Sequence, residues 1–492
     1  GVGGLTKIGK DVILLNGANT YGGATRIEDG TLQLGRNNAL PVGTALSLTT
    51  SSAQLDLNGS NQEVASLSGA SGSITNGRFD NNTLTVNQSA NTTYSGTVDG
   101  NVTVHKNGAG ALTLAPVSAL GETTTGNSYR GGTVFEAGKI AIALDNALGW
   151  QRNGVDASNL RFNGGTLQTT ASVTLHANRG VQLDAAGGTI EVDPTFTSQV
   201  NGKITGVGAL NKTGTGILQL NNLDNNNTGL TNILAGTLRG GANDTFAPLS
   251  RHVVTGDTVS GTLALNTFDQ SIGSLSSTGA TQANATVALS STLTVGLDGT
   301  KDAVYAGAIT GTGSSIFQVN GNGAVQTLST VDNSGQAWNT AIANGVLNIA
   351  EGAKLGSGTL TLGITSVSGV DDLAGMNLQN TPAFANNITV ANVNAVGSAL
   401  ITSTVANSAI TGAITLNRDI FAGAAPSTQL SMEGIVSGDG RMTVIDGGNL
   451  RLTAANTFAP TNGVVGTSGS SMVGGMIIRA GGVLLENNSA AG

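Results

Sequence analysis

One short pattern, K-x-G-x-G-x-L-x-L, returns along the chain and limits what it can fold into. Lys106-Asn-Gly108-Ala-Gly110-Ala-Leu112-Thr-Leu114 has a near copy at Lys212-Thr-Gly214-Thr-Gly216-Ile-Leu218-Gln-Leu220. A looser copy starts at Lys7, with Gly9, Asp11, Ile13 and Leu15 in register. Two further copies lack the lysine: Val319, Gly321, Gly323, Val325, Thr327, and Val444, Asp446, Gly448, Leu450, Leu452. The anchors at 7, 106, 212, 319 and 444 lie 99, 106, 107 and 125 residues apart. A chain built from such long units stacks them or strings them out, and the filling between the anchors decides which.

That filling alternates. Apolar residues recur at every second position in short runs closed by Gly or Asn, which is the signature of short strands and tight turns. Gly96-Thr-Val98-Asp-Gly100-Asn-Val102-Thr-Val104, Gly202 to Leu210 and Gly434 to Met442 share one design. The period of two places Val98, Val102 and Val104 on one face, with glycines marking corners or close backbone approach. After each anchor comes an Asn-rich turn and a β-branched strand, as in Asn19-Thr-Tyr21-Gly-Gly23-Ala-Thr25-Arg-Ile27. Ser128 to Thr133, Asn227 to Ile233 and Asn456 to Phe458 repeat it. A Gly-x-apolar step follows at Gly30, Gly138, Gly236, Gly345 and Gly482.

Composition selects among the all-β architectures. Only 3% of the 492 residues are aromatic, 10% are charged and none is Cys, whereas 74 are Gly. So few rings argue against a thick globular core, and 39% apolar content argues against disorder. Sandwich domains would show linkers and propeller blades would show aromatic signatures; neither is visible. The pattern predicts one continuous parallel β-helix (a β-solenoid) over 1–492, an elongated rod whose thin coils share a core only by stacking. Roughly 20–25 residues per coil and about 4.8 Å between strands predict a rod on the order of 100 Å long. Rings would find little room inside. The stretch 366–409 is the least regular and reads as a longer loop or lengthened turn, with Asp371 to Met376 the alternative of a short helix.

The block Gly3-Gly4-Leu5-Thr6-Lys7-x-Gly9, Leu15 to Tyr21, Gly23, Thr25 and Gly30-Thr31-Leu32 resembles the autotransporter-associated β-strand repeat, also called the passenger-associated transport repeat. The resemblance is close in the first and third units, recognisable in the second and faint afterwards. It implies the right-handed parallel β-helix, export, and a place outside the cell, on the bacterial outer surface or secreted. Proteins of this kind are commonly adhesins or surface filaments. The chain begins at Gly1 without a signal peptide and ends in small polar residues without barrel strands. It is therefore expected to have lost a leader or to be a section of something longer.

Candidate chemistry is sparse. Net charge is −8 and no basic cluster occurs, which disfavours nucleic acid. No apolar run approaches a membrane-spanning helix, so this segment is not expected to insert. His105, His176 and His252 have no ligand-like spacing, so no metal or cofactor is expected. Asp298 and Asp302 flank Lys301, and Asp371 adjoins Asp372, but adjacent strand residues face opposite ways and cannot converge on one glycosidic bond. A carbohydrate-active β-helix enzyme is the alternative from another class, and the chain reads as no enzyme. Lys7, Lys106 and Lys212 read as solvated flanks that discourage side-on strand pairing, rather than as a row of sites for an acidic ligand. The terminal coils carry apolar residues with no capping helix. Val2 and Leu5 at one end, with Leu484 and Leu485 at the other, are the candidate end-to-end contact, a head-to-tail joint that generates open filaments. The expected function is an extracellular structural or adhesive solenoid that polymerises through copies of itself; the alternative is a monomeric adhesin section packed against neighbouring repeats of a longer chain. Surface glycans or proteins are the candidate outside partners.

Overall fold

The computed structural model describes residues 1–116, 126–151, 153–363, 372–391, 397–458, 471–473 and 475–487. Two compact units divide the chain, Gly1–Thr245 and Phe246–Gly492. Each is a parallel β-solenoid.

In the first unit every strand pair with a stated register is parallel, and each strand lies beside its counterpart one coil later. Stacked positions form mainly apolar ladders, buried beyond the first coil. Ile13 pairs with Leu32, Leu32 with Leu55, Leu55 with Ile74 and Ile74 with Val98. A second ladder runs Leu84, Val104, Thr133, Leu160, Val181, Ile204. A third runs Leu112, Ile140, Leu167, Ile190, Lys212, Ile233. One coil takes from 19 residues (Gln54 to Ser73) to 29 (Val104 to Thr133). A strand is buried at alternate residues because its side chains alternate across the sheet. In Gly30–Leu34, Leu32 and Leu34 are fully buried while Thr31 and Gln33 face outward. The outward residues pair along the axis too: Thr31 Oγ1 donates to Gln54 Oε1 at 2.9 Å, and Gln33 Nε2 to Asp56 at 2.7 Å.

The second unit stacks in the same way. Ile342 pairs with Leu362, Leu362 with Val390 and Val390 with Leu416. Its exception is Ser471–Val473, antiparallel to Met476–Ile478. Of the stretch 366–409, Asp372–Leu378, Ile388–Val390 and Gly397–Ser403 are strands, and Ser408–Ile410 begins another. Asp372–Leu378 is thus neither helix nor turn. Ala374, Met376 and Leu378 alternate inward, and that period is the one a strand satisfies. Asp371 lies outside the described residues.

Two further readings need correction. Val98, Val102 and Val104 all point inward, but from two strands, Thr97–Gly100 and Val102–Asn107, with Gly100 at φ +77° between them. Rings also find room. Phe135 and Phe162 stack one coil apart with centroids 4.3 Å apart and planes 5° from parallel. Tyr94, Tyr129, Tyr305 and Trp338 are buried as well. Tyr94 and Tyr305 stand two residues before a glycine, and each hydroxyl reaches two backbone carbonyls, those of Gly72 and Thr97 (3.2 Å each) and of Ala285 and Ala308 (3.1 Å each). A Cβ on Gly96 or Gly307 would sit 2.5 Å from that hydroxyl oxygen. A ring fits in a thin coil where a glycine opposite makes space.

Candidate functional site

The three lysines that recur in phase are buried, not solvated flanks. Each stands in an inward ladder opposite an apolar residue of the next coil: Lys7 by Ile27, Lys106 by Phe135, Lys212 by Ile233. The aliphatic stem fills the ladder, and the ammonium turns into the corner that follows. Lys106 Nζ donates to the carbonyls of Asn107 (2.6 Å), Gly108 (2.7 Å) and, from the stacked coil, Ala137 (3.3 Å). Lys212 Nζ donates to Thr213 (2.8 Å), Gly214 (2.7 Å) and Ala235 (3.0 Å). Lys7 Nζ does the same with Ile8, Gly9 and Asp29. Three donors on one ammonium match three carbonyls that converge on it.

The first glycine of the repeat and the glycine of the later Gly-x-apolar step follow from this geometry. Gly9, Gly108 and Gly214 have φ of +75°, +74° and +69°, which turns the chain back toward the ammonium. Gly30, Gly138 and Gly236 belong to the coil above, at φ of +64°, +63° and +66°. A Cβ there would lie 2.3–2.5 Å from the carbonyl oxygen of Gly9, Gly108 or Gly216. Left-handed backbone and close approach together demand glycine. Burial pushes the ammonium of Lys106 and of Lys212 down to about 8, with the Glu191 carboxylate partly opposing this for Lys212. Of the two units without the lysine, the one at Val319 runs Ile316–Leu328 as one bulged strand, whereas the one at Val444 keeps Met442–Ile445 and Asn449–Leu452 separate.

A second lock uses asparagine. The side-chain oxygens of Asn127, Asn225, Asn333 and Asn456 accept the backbone N–H of Val98, Ile204, Ile309 and Val436 at 2.7–2.9 Å. The amides of Asn127 and Asn225 also donate to the carbonyls of Ala147 (2.6 Å) and Thr245 (2.9 Å), and that of Asn19 donates to Ala39 (2.8 Å). Two of these asparagines therefore tie three successive coils. Two residues on, Tyr21 and Tyr129 bond the hydroxyls of Thr25 (2.6 Å) and Thr133 (2.7 Å); in the third unit Asn227 takes the tyrosine's place. The turn was visible in the sequence, but the bridging role of its asparagine was not, because it depends on partners 20–29 residues away.

The remaining candidates are dispersed. Val2 is 98% exposed, Leu5 is half-buried and both lie in the first unit; Leu484 and Leu485, 46% and 42% exposed, lie in the second. Asp298 accepts from Ser274 Oγ at 2.8 Å, and Asp302 faces Arg251 at 3.5 Å. His105 stands 3.7 Å from Glu136. His252 is buried, and burial pushes its imidazole down to about 4. Among the described residues, no group of three or more His, Asp or Glu side chains could hold a metal ion, and no helix is long and apolar enough to cross a membrane.

Stacked parallel coils locked by a recurring lysine corner define a class of β-solenoid. Residues 5–34, 104–142 and 210–239, the three lysine units, match the passenger-associated-transport-repeat, so the chain carries that repeat. It is homologous to the Adhesin BmaC autotransporter of Brucella suis biovar 1 (strain 1330), 32% identical over 367 residues that make up 73% of this chain and 10% of the relative. It is also similar to the Uncharacterized lipoprotein YdeK of Escherichia coli (strain K12), 29% identical over 272 residues, 50% of this chain and 20% of that protein. The chain thus spans a tenth to a fifth of the length of these relatives. No solved structure matches it.

Proposed function

We propose that the chain is a section of an exported passenger, held outside the cell, whose work is mechanical display and adhesion rather than catalysis. The supporting observation is the investment of the repeat in coil-to-coil locks. In all three matched segments the lysine, its turn glycine and the glycine of the next coil serve to clamp one coil on another. Homology to a protein named as an adhesin supports the adhesive half of the reading. The polar outer ladders and apolar inner ladders give a surface that can vary without disturbing the core.

The finer reading is that copies join head to tail through Val2, Leu5, Leu484 and Leu485. Its support is the exposure of three of these apolar residues and the half-burial of Leu5. The experiment pairs two readouts. Bacteria displaying the chain on an unrelated anchor should bind host-cell monolayers above the level of the anchor alone; equal binding refutes the adhesive reading. Purified chain, followed by electron microscopy and light scattering over a dilution series, should form filaments that Leu484→Asp with Leu485→Asp abolishes. Particles that stay single at high concentration refute the head-to-tail joint.

A further inference from the structure

We infer that the recess around Trp150 is a binding site for a neutral sugar. The inference rests on the adhesive half of the reading above and is independent of head-to-tail assembly.

The recess has a volume of about 600 Å³ and is lined by Thr97, Asp99, Ser128, Asn146, Trp150 and Gln151. Small-molecule sites fall in this size range and combine an apolar surface with a few convergent polar groups. Trp150 supplies the apolar surface. It is 40% exposed, whereas Trp338, the chain's other tryptophan, is buried. The guanidinium of Arg130 lies 4.8 Å from the centroid of the indole and holds its orientation.

The platform beneath is built for rigidity. Gly149, at φ +80°, brings the backbone against Tyr129, and Trp150 N–H donates to the Tyr129 carbonyl at 2.9 Å. Under that turn lies Arg179, wholly buried. It donates to Asp145 Oδ1 (2.7 Å) and to the carbonyls of Leu148 (2.8 Å) and Gly149 (2.6 Å). A buried arginine that fixes the carbonyls before Trp150 leaves the backbone carrying the indole little freedom to lose on binding.

The polar wall is acceptor-rich. Asp99 accepts from Thr97 Oγ1 and from Ser128 Oγ, both at 2.8 Å. Each carboxylate oxygen keeps a lone pair for a further donor. Gln151, also in the lining, is held by its amide, which donates to Asp145. A pyranose carries an apolar C–H face that packs on indole and a rim of hydroxyls that donate to such acceptors. The Asp99 carboxylate on the wall opposes an anionic sugar, whereas the Arg130 guanidinium over the indole attracts one, and the anionic comparator below weighs the two.

The test is calorimetric titration of the whole chain with lactose, maltose and cellobiose, with 3′-sialyllactose as the anionic comparator. At least one neutral disaccharide should bind saturably, and Trp150→Ala and Asp99→Asn should each weaken it at least tenfold with the circular dichroism spectrum unchanged. 3′-Sialyllactose should bind at least tenfold more weakly. No saturation by any neutral disaccharide at tens of millimolar, or equal binding by Trp150→Ala, would overturn the site. Preference for 3′-sialyllactose would overturn the assignment to neutral sugars. Cells displaying a Trp150→Ala chain separate the two claims: adhesion that persists when sugar binding is absent leaves the adhesive function standing and removes this recess from it.

Discussion

Replacing Lys212 by Met separates a buried corner lock from a surface charge. Methionine keeps an unbranched apolar stem in the ladder between Ile190 and Ile233 and deletes only the ammonium. Three donations, to Thr213, Gly214 and Ala235, disappear. Taking the donor away from three buried carbonyls costs about 2 kcal/mol for each, so the gross loss is roughly 6 kcal/mol. Against it stands relief from burying the ammonium. Its displacement from 10.5 to about 8 corresponds to about 3 kcal/mol. The expected net destabilisation is therefore about 3 kcal/mol, felt locally because stability in a stacked array is carried by neighbouring coils. Hydrogen exchange followed by mass spectrometry should show amides at Thr213–Gly216 and at 234–236 opening roughly a hundredfold more often. The exposed Lys10→Met serves as control, with an expected effect within about 0.5 kcal/mol. A Lys212→Met chain that exchanges like the control would refute the lock and restore the reading of a solvated flank.

Three other outcomes follow from the same geometry. Gly236→Ala forces a Cβ to 2.5 Å from the Gly216 carbonyl at φ +66°, and should cost more than about 2 kcal/mol in urea unfolding; Gly313→Ala, whose nearest neighbour would be 3.8 Å away, should cost under about 1 kcal/mol. Asn225→Ala removes the side-chain acceptor of the Ile204 N–H and a donor to the Thr245 carbonyl, and should destabilise by about 2–4 kcal/mol in the same assay. His252 should make the second unit acid-sensitive. Its folded value of about 4 lies below the ordinary 6.5, so below pH 6.5 the unfolded chain takes a proton that the folded chain refuses. Stability from this group is complete above 6.5 and is lost as pH falls to 4, by about 3 kcal/mol in all. His252→Gln should flatten that part of the curve in urea titrations at stepped pH.

The solenoid was legible because its evidence is periodic. Alternation in runs such as Gly30–Leu34, and the return of the same block about a hundred residues on, both survive in the sequence as spacing. What was illegible depends on partners in neighbouring coils. Lys212 looks like an edge charge until Ala235 and its carbonyl are brought alongside by stacking. Asn127 looks like an ordinary turn residue until Val98 and Ala147 flank it from two other coils. The core was expected to be aliphatic because rings are few, yet Phe135 and Phe162 use the ladder itself as a stack, and Tyr94 and Tyr305 occupy space that Gly96 and Gly307 vacate. The Trp150 recess had no sequence signal beyond the tryptophan, since Arg179 and Asp99 reach its surroundings from other coils.

Amine labelling with mass spectrometry tests the central claim most directly. Native chain would be treated briefly with an acetylating or methylating reagent, then compared with chain labelled in urea. Lys7, Lys106 and Lys212 should be protected in the native state and labelled once unfolded, while the exposed Lys10, Lys301 and Lys354 should react in both. Native labelling of the three repeat lysines at the rate of those exposed ones would contradict the lysine-locked solenoid.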